Sequence, residues 1–271
     1  MSQDYSVNNN VGEVTTVRKQ FRTNQMSLLS KATMIAGAGF IIIGVLATLV
    51  SMLIWNSLEQ GNGVPGWMWP VAIIAILVSQ IMAMVAFARI EKVSKVTIAI
   101  LFTLYTIGYA LGFGILFAAI QLSYRGSTGT YLITLAFAAG GLAFLVAGLI
   151  GYKMSDKAAM SMMKFIGMLS IGFFIVFMIF MALFFVSLFT SVFTNIIDKF
   201  WILLIALSTL LFFFYMIFDF TIINRIQAFV DLAEPKIAWN FALMFGFKLL
   251  MDLVGLVWNI LILMLRFSGN K

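Results

Sequence analysis

The sequence predicts an all-α polytopic membrane protein, on three observations. Of its 271 residues, 63% are hydrophobic and 10% charged, and the mean hydropathy is +1.08, beyond what a soluble core uses. Apolar runs of spanning length recur along the whole chain. Lys and Arg gather in alternate connectors, as the positive-inside rule produces.

Residues 1–31 form a polar tail rich in Asn, Ser, Thr and Gln, carrying Arg18, Lys19, Arg22 and Lys31 against Asp4 and Glu13. It reads as a cytoplasmic, mostly disordered segment, helical towards its end. Residues 32–271 form one membrane domain. The first span covers residues 33–55, with Gly37, Gly39 and Gly44 offering a surface for close helix contact. A connector without Lys or Arg follows, and Pro70 opens a second span over residues 70–88. Trp67 and Trp69 read as an interfacial aromatic belt. The third span, residues 96–121, carries Gly108-x-x-x-Gly112, whose commoner use is packing within a bundle. The fourth, residues 131–152, has small residues at Ala136, Gly140, Ala143, Ala147 and Gly151, which predicts a helix set against neighbours. The fifth, residues 163–189, is a Phe- and Met-rich run with no chemistry assigned to it. The sixth covers residues 199–224. The last apolar run, residues 237–267, exceeds a simple span, so its start reads as helix outside the membrane.

The basic residues orient the chain. The tail and the second–third, fourth–fifth and sixth–seventh connectors hold 4, 3, 3 and 2 Lys or Arg, and the alternate connectors hold 0, 1 and 1. This predicts a multi-pass protein of the cell membrane with a cytoplasmic N-terminus. Seven spans would put Arg266 and Lys271 outside, against the bias, whereas a re-entrant last helix would keep them inside. Both topologies remain open at this level.

Composition excludes several chemistries. There is no Cys and no His, so disulfides, thiolate metal sites, the usual catalytic triads and zinc centres are out. No Gly-x-Gly-Asp motif of an intramembrane aspartyl protease occurs. An enzyme is not expected, nor is a cofactor. The net charge of +7 follows from connector bias and does not point to nucleic acid. A pH response near neutrality would have to come from perturbed carboxylates.

Two carboxylates lie inside apolar runs: Asp219 in the sixth span and Asp252 in the seventh. Insertion scales put an acidic residue at a span centre at about 2.5–3.5 kcal/mol. If the two meet, they share protons as a pair and form a weak Ca²⁺ site completed by water and carbonyls. Their depths match only if the last helix enters the membrane near Gly246 rather than at Ile237. The rival reading is a structural role for each. Lys248, four residues before Asp252 on the same helical face, is placed to neutralise it. Arg89 is a candidate ion-pair partner for Asp219.

These residues resemble the Bax inhibitor-1 (transmembrane BAX-inhibitor-motif, or lifeguard) family, in its bacterial form. Phe218-Asp219-Phe220-Thr221-Ile222-Ile223 is similar to the sixth-helix pattern YDTQ-x-I. The stretch from Phe241 through Asp252 to Asn259, with Leu265-Arg266-Phe267-Ser268-Gly269, is similar to the terminal pattern ALSLYLDFINLFL…LLRLFG. Thr134 to Phe137, Gly151-Tyr152 and Asp156 resemble the fourth-helix segment, and Gln25 to Lys31 the lead into the first helix. The resemblance spans residues 22–271. It implies seven transmembrane helices, six around a central C-terminal helix. It also implies a pH-sensitive Ca²⁺ leak whose proton sensor is the pair matching Asp219 and Asp252, with Arg89 the candidate for a closed-state latch. Three departures stand out. Lys248 occupies a position usually small or polar, Gly255 replaces an Asn for which Asn259 is the candidate substitute, and no acidic residue lies near Gly108 to Gly112.

Two functions of different class follow. One is a proton-regulated Ca²⁺ leak channel whose partners are the bilayer, Ca²⁺ and protons. The other is a non-conducting interaction or stress-regulator protein of the same fold that engages a membrane-protein partner. Matched Asp positions favour the first and Lys248 the second. A proton-coupled transporter would need paired breaks within its helices, yet all three prolines lie in connectors or span ends.

Overall fold

A computed structural model describes residues 27–60, 65–87, 93–124, 127–187, 194–230 and 235–268. Among them the chain forms seven helices and no strand: α1 (Leu28–Glu59), α2 (Met68–Phe87), α3 (Lys95–Ser123), α4 (Ser127–Lys153), α5 (Asp156–Ser187), α6 (Thr194–Val230) and α7 (Pro235–Ser268). Six of them are long and apolar enough to cross a membrane. The remaining one, α2, has 20 residues, about 30 Å at 1.5 Å per residue. The protein is a polytopic all-α membrane protein. Residues 1–26, most of the expected tail, lie outside the described residues, while its last residues already belong to α1.

Local chemistry sets the helix starts. The Ser27 hydroxyl accepts from Ser30 N at 3.1 Å, and Ser94 does the same for Thr97 N at 3.1 Å. Each satisfies an amide the helix leaves unpaired. Asp156 sits in the first turn of α5, where a negative charge complements the helix dipole. Pro70 falls in the first turn of α2 and Pro235 opens α7, positions that lose no intrahelical bond. Within spans, Thr33, Thr48, Thr103, Thr134 and Thr209 each donate to the carbonyl four residues back. Lipid offers no water for these hydroxyls, so the helix itself must take them.

The centre of the bundle is α7. Phe247, Leu249, Leu250, Val254, Val257 and Leu261 are all fully buried. Helices α1, α3, α4 and α6 pack on it directly, while α2 leans on α3 and α5 on α6, completing the ring from outside. Small residues let backbones close in. Gly246 of α7 lies against Ala32 and Ile35 of α1, and Gly112 of α3 against the Trp258 ring. Gly108 receives Ala72 and Ala75 of α2, so the Gly108–Gly112 pair serves packing inside the bundle. The α4 stripe behaves as expected: Gly140 lies under Val257 of α7, and Gly151 under Ile217 and Phe220 of α6.

The last helix is continuous, and this removes the re-entrant alternative. Near its start, the Asn240 side-chain amide donates to the Val93 carbonyl at 2.9 Å, just before α3. Near its end, Arg266 pairs with Asp198 in the second turn of α6 at 3.1 Å, and Leu265 O accepts from Tyr124 OH beyond the end of α3. Helix α7 therefore crosses the whole bundle, from the face where α1 begins to the opposite face. Helices α6 and α7 have 37 and 34 residues, more than the ~20 a bilayer core needs.

The glycine contacts predict an asymmetry. A Cβ at Gly151 would lie 2.5 Å from the Ile217 carbonyl oxygen and 2.7 Å from Phe220 Cβ, whereas one at Gly167 meets nothing within 4 Å. Gly151→Val should therefore lower stability by about 1–3 kcal/mol through overpacking, and Gly167→Ala should leave it unchanged. Thermal unfolding in detergent, followed by size-exclusion chromatography, measures both. Equal melting of the two variants would contradict this packing of α4 on α6.

Candidate functional site

The site is built by two antiparallel helices. Asp219 stands on α6 between Met216 and Phe220, and Lys248 and Asp252 stand one turn apart on α7 among Phe247, Leu249 and Leu253. All these apolar neighbours are buried, and so are both carboxylates, at 3% and 7% exposure. Lys248 Nζ donates to Asp219 Oδ2 and reaches Asp252 Oδ2 at 3.5 Å. A single ammonium thus ties the two carboxylates together across the α6–α7 interface.

The two positions meet because α6 and α7 run antiparallel past each other. Asp219 lies 11 residues before the end of α6, and Lys248 lies 13 residues after the start of α7, roughly 17 and 20 Å along their axes.

Aromatic groups close in from other elements. Lys248 Nζ lies 5.8 Å from the centroid of the Tyr215 ring of α6, within cation–π range. Tyr215 OH shares a hydrogen bond of 3.0 Å with Ser170 of α5. From α3, Tyr105 is fully buried and donates to the Met251 carbonyl at 3.3 Å, and its ring packs on Tyr109 and Phe247. The charged cluster is walled by phenols and apolar side chains.

The sequence-based candidates separate under this geometry. Asp219, Asp252 and Lys248 come together. Asn259 does not join them: its amide donates to Ser208 Oγ of α6 at 2.8 Å, two turns beyond Asp252. It bonds α6 there, away from the carboxylates. Arg89 lies outside the described residues, and Lys248 is the cation that faces Asp219. No group of three or more Asp, Glu, His or Cys among the described residues could hold a metal. The two carboxylates offer oxygen ligands, but a Ca²⁺ ion there would compete with the Lys248 ammonium for the same atoms. With every group ionised, the cluster carries one negative charge, and one added proton makes it neutral.

Comparison with known protein families and with curated proteins returns no match for this chain. The resemblance to the Bax inhibitor-1 family rests on the motif residues themselves.

Sequence reasoning missed a second set of contacts that hold α6 to α4 near the same face. Thr221 donates to Ile217 O at 2.8 Å and Gly151 O at 3.2 Å. Asn224 Nδ2 donates to Tyr152 O at 3.1 Å, and Arg225 pairs with Asp156 at 2.9 Å and reaches Ser155 O at 3.3 Å. These residues follow Asp219 at steps of two, three and one. That places polar groups along one side of α6, a signal visible in the sequence, where Thr221 belongs to the sixth-helix motif, Asn224 ends the sixth span and Arg225 counts with the connector.

Removing Lys248 should expose the electrostatic role of the cluster. Lys248→Met leaves two facing buried carboxylates without a cation. The expected loss is about 2 kcal/mol or more, somewhat under the 3–5 kcal/mol of a fully enclosed pair, because 34% of the Lys248 side chain is accessible. Adding Asp219→Asn and Asp252→Asn to Lys248→Met should recover much of the loss. A triple variant as unstable as Lys248→Met would show that the lysine acts through packing instead.

Proposed function

We propose that this protein is a pH-sensitive Ca²⁺ leak channel of the Bax inhibitor-1 type, and that the Asp219–Lys248–Asp252 cluster is its gate. One observation carries the reading: two buried carboxylates on different helices share one ammonium inside an apolar bundle. Ionisable groups in such a place are expensive and mark ion or proton pathways. The lysine acts as an internal counter-ion that stands in for the permeating cation at rest. Protonation of one carboxylate loosens the hold of the pair on the ammonium, and withdrawal of the ammonium frees oxygen ligands for Ca²⁺. Two carboxylates completed by water and carbonyls make a weak site, and conduction requires a site that releases its ion. The basic connectors favour the cell membrane with the N-terminus in the cytoplasm.

Lys248 itself favours a second reading. A fixed ammonium between the carboxylates also suits a non-conducting regulator of the same fold, in which the cluster only staples α6 to α7 and the function lies with a membrane-protein partner.

Ca²⁺ flux in proteoliposomes at about pH 6 and pH 8 separates the readings. The channel reading expects a pH-dependent flux in the native protein. Asp219→Asn or Asp252→Asn should flatten that dependence, and Lys248→Ser should raise flux at both pH values. Absence of flux from well-folded native protein and from Lys248→Ser alike would reject conduction and leave the regulator.

A further inference from the structure

The face where α1 begins gathers the cations of this chain. The tail and connectors that serve it carry twelve Lys or Arg against six Asp or Glu, a net of +6, while the opposite face carries four against two. Three helices start together there. Lys31 Nζ, in the first turn of α1, lies over the Trp239 ring in the second turn of α7, 5.4 Å from its centroid. The next residue, Asn240, donates to the Val93 carbonyl at 2.9 Å, two residues before Lys95 opens α3. The starts of α1, α7 and α3 therefore form one corner, with Lys31 and Lys95 on it. The first turns of these three helices contain no Asp or Glu. Among the described residues, neither lysine has a carboxylate partner. An ammonium beside the positive end of a helix dipole is unfavourable, and here the ammonium groups and the dipoles share one sign.

An apolar strip continues from the corner. Met34, Ala38, Ile42 and Val45 follow Lys31 at steps of three, four, four and three, so they share its side of α1, and all four are exposed. A cation and an indole at the mouth of a span, followed by exposed apolar side chains running along that span, match the head and tail of a membrane lipid.

We propose that the Lys31–Trp239 corner binds an anionic phospholipid of the bilayer. The phosphate sits against the Lys31 ammonium, with the Trp239 indole N–H as a second donor, and an acyl chain lies along Met34, Ala38, Ile42 and Val45. Charge complementarity selects the head, since a basic surface attracts anionic lipid. The apolar strip selects a lipid over a free phosphate. Bound there, the lipid bridges α1 and α7 beside the contact of Gly246 with Ala32 and Ile35, and so tightens the two helices against each other. The site does not depend on the channel reading above.

The test uses the full chain in nanodiscs of phosphatidylcholine with a rising fraction of phosphatidylglycerol, and follows thermal unfolding. The native protein should melt higher as the anionic lipid increases. Lys31→Gln should need about five-fold more phosphatidylglycerol for half of the effect, and Trp239→Leu should shift the response in the same direction. Lys157→Gln, which removes an exposed lysine near the start of α5 on the same face, should respond as the native protein does. Each variant is compared with itself in phosphatidylcholine alone, so a change in its basal stability does not enter the reading. An equal response of the native protein and both corner variants would overturn the site. A shift of the same size in Lys157→Gln would overturn it too, because the attraction would then be spread over the whole face. Glycerol phosphate added to phosphatidylcholine discs should give no stabilisation, and a gain equal to that from phosphatidylglycerol would reject a lipid as the occupant.

Discussion

The constraint on which this structure depends is the placement of three charged groups inside an apolar bundle. An isolated carboxylate in hydrocarbon is unstable by several kcal/mol, and two facing ones are worse through mutual repulsion. Lys248 resolves both problems at once, because its ammonium reaches Asp219 on α6 and Asp252 on its own helix. This fixes the rotation and the register of α7 against α6, since sliding either helix by a turn would strand a charge. Ser208–Asn259 and Asp198–Arg266 fall into line along the same seam.

The rest of the bundle makes that arrangement possible. Water is absent from the membrane interior, so helices there associate through close packing rather than through the hydrophobic effect. The glycines at 140 and 246 bring α4 and α1 against α7, and Gly151 seats α6 on α4. With α7 enclosed, the Asp252 carboxylate faces protein rather than lipid. The hydroxyls of Tyr105 and Thr221 are likewise absorbed by carbonyls of a neighbouring helix and of the same helix. Helices α2 and α5 stand outside this frame, each on one neighbour, which leaves their outer faces to the lipid.

Helix α6 is held from several sides. Towards the face where α7 begins, it is bound to α4 by Thr221, Asn224 and Arg225. Further along, Phe212 packs on Gly255 of α7, Ser208 bonds Asn259, and Phe214 and Tyr215 meet Phe165 and Ser170 of α5. Dense packing of this kind keeps in place the helix that carries Asp219.

Much of the architecture could be read from the sequence alone. Hydropathy runs and basic connectors determined that the chain crosses a membrane repeatedly as helices, because lipid leaves the backbone no other way to satisfy its hydrogen bonds. The small residues of the fourth span announced its contact surface, and Asp219 and Asp252 stood out because charge within apolar runs is rare. Lys248 was also visible, four residues from Asp252, but a one-helix pattern relates it only to residues on its own face. That it bridges to Asp219, that Asn259 bonds Ser208 instead of the carboxylates, and that Phe212 rests on Gly255 depend on how two helices are rotated and slid against each other. The continuity of α7, which composition left open between a crossing and a re-entrant helix, was decided by contacts at its far end, those of Arg266 and Leu265. Local sequence fixes periodicity and depth along one helix. Only the tertiary structure fixes register between helices, because it is set by packing complementarity summed over the whole interface.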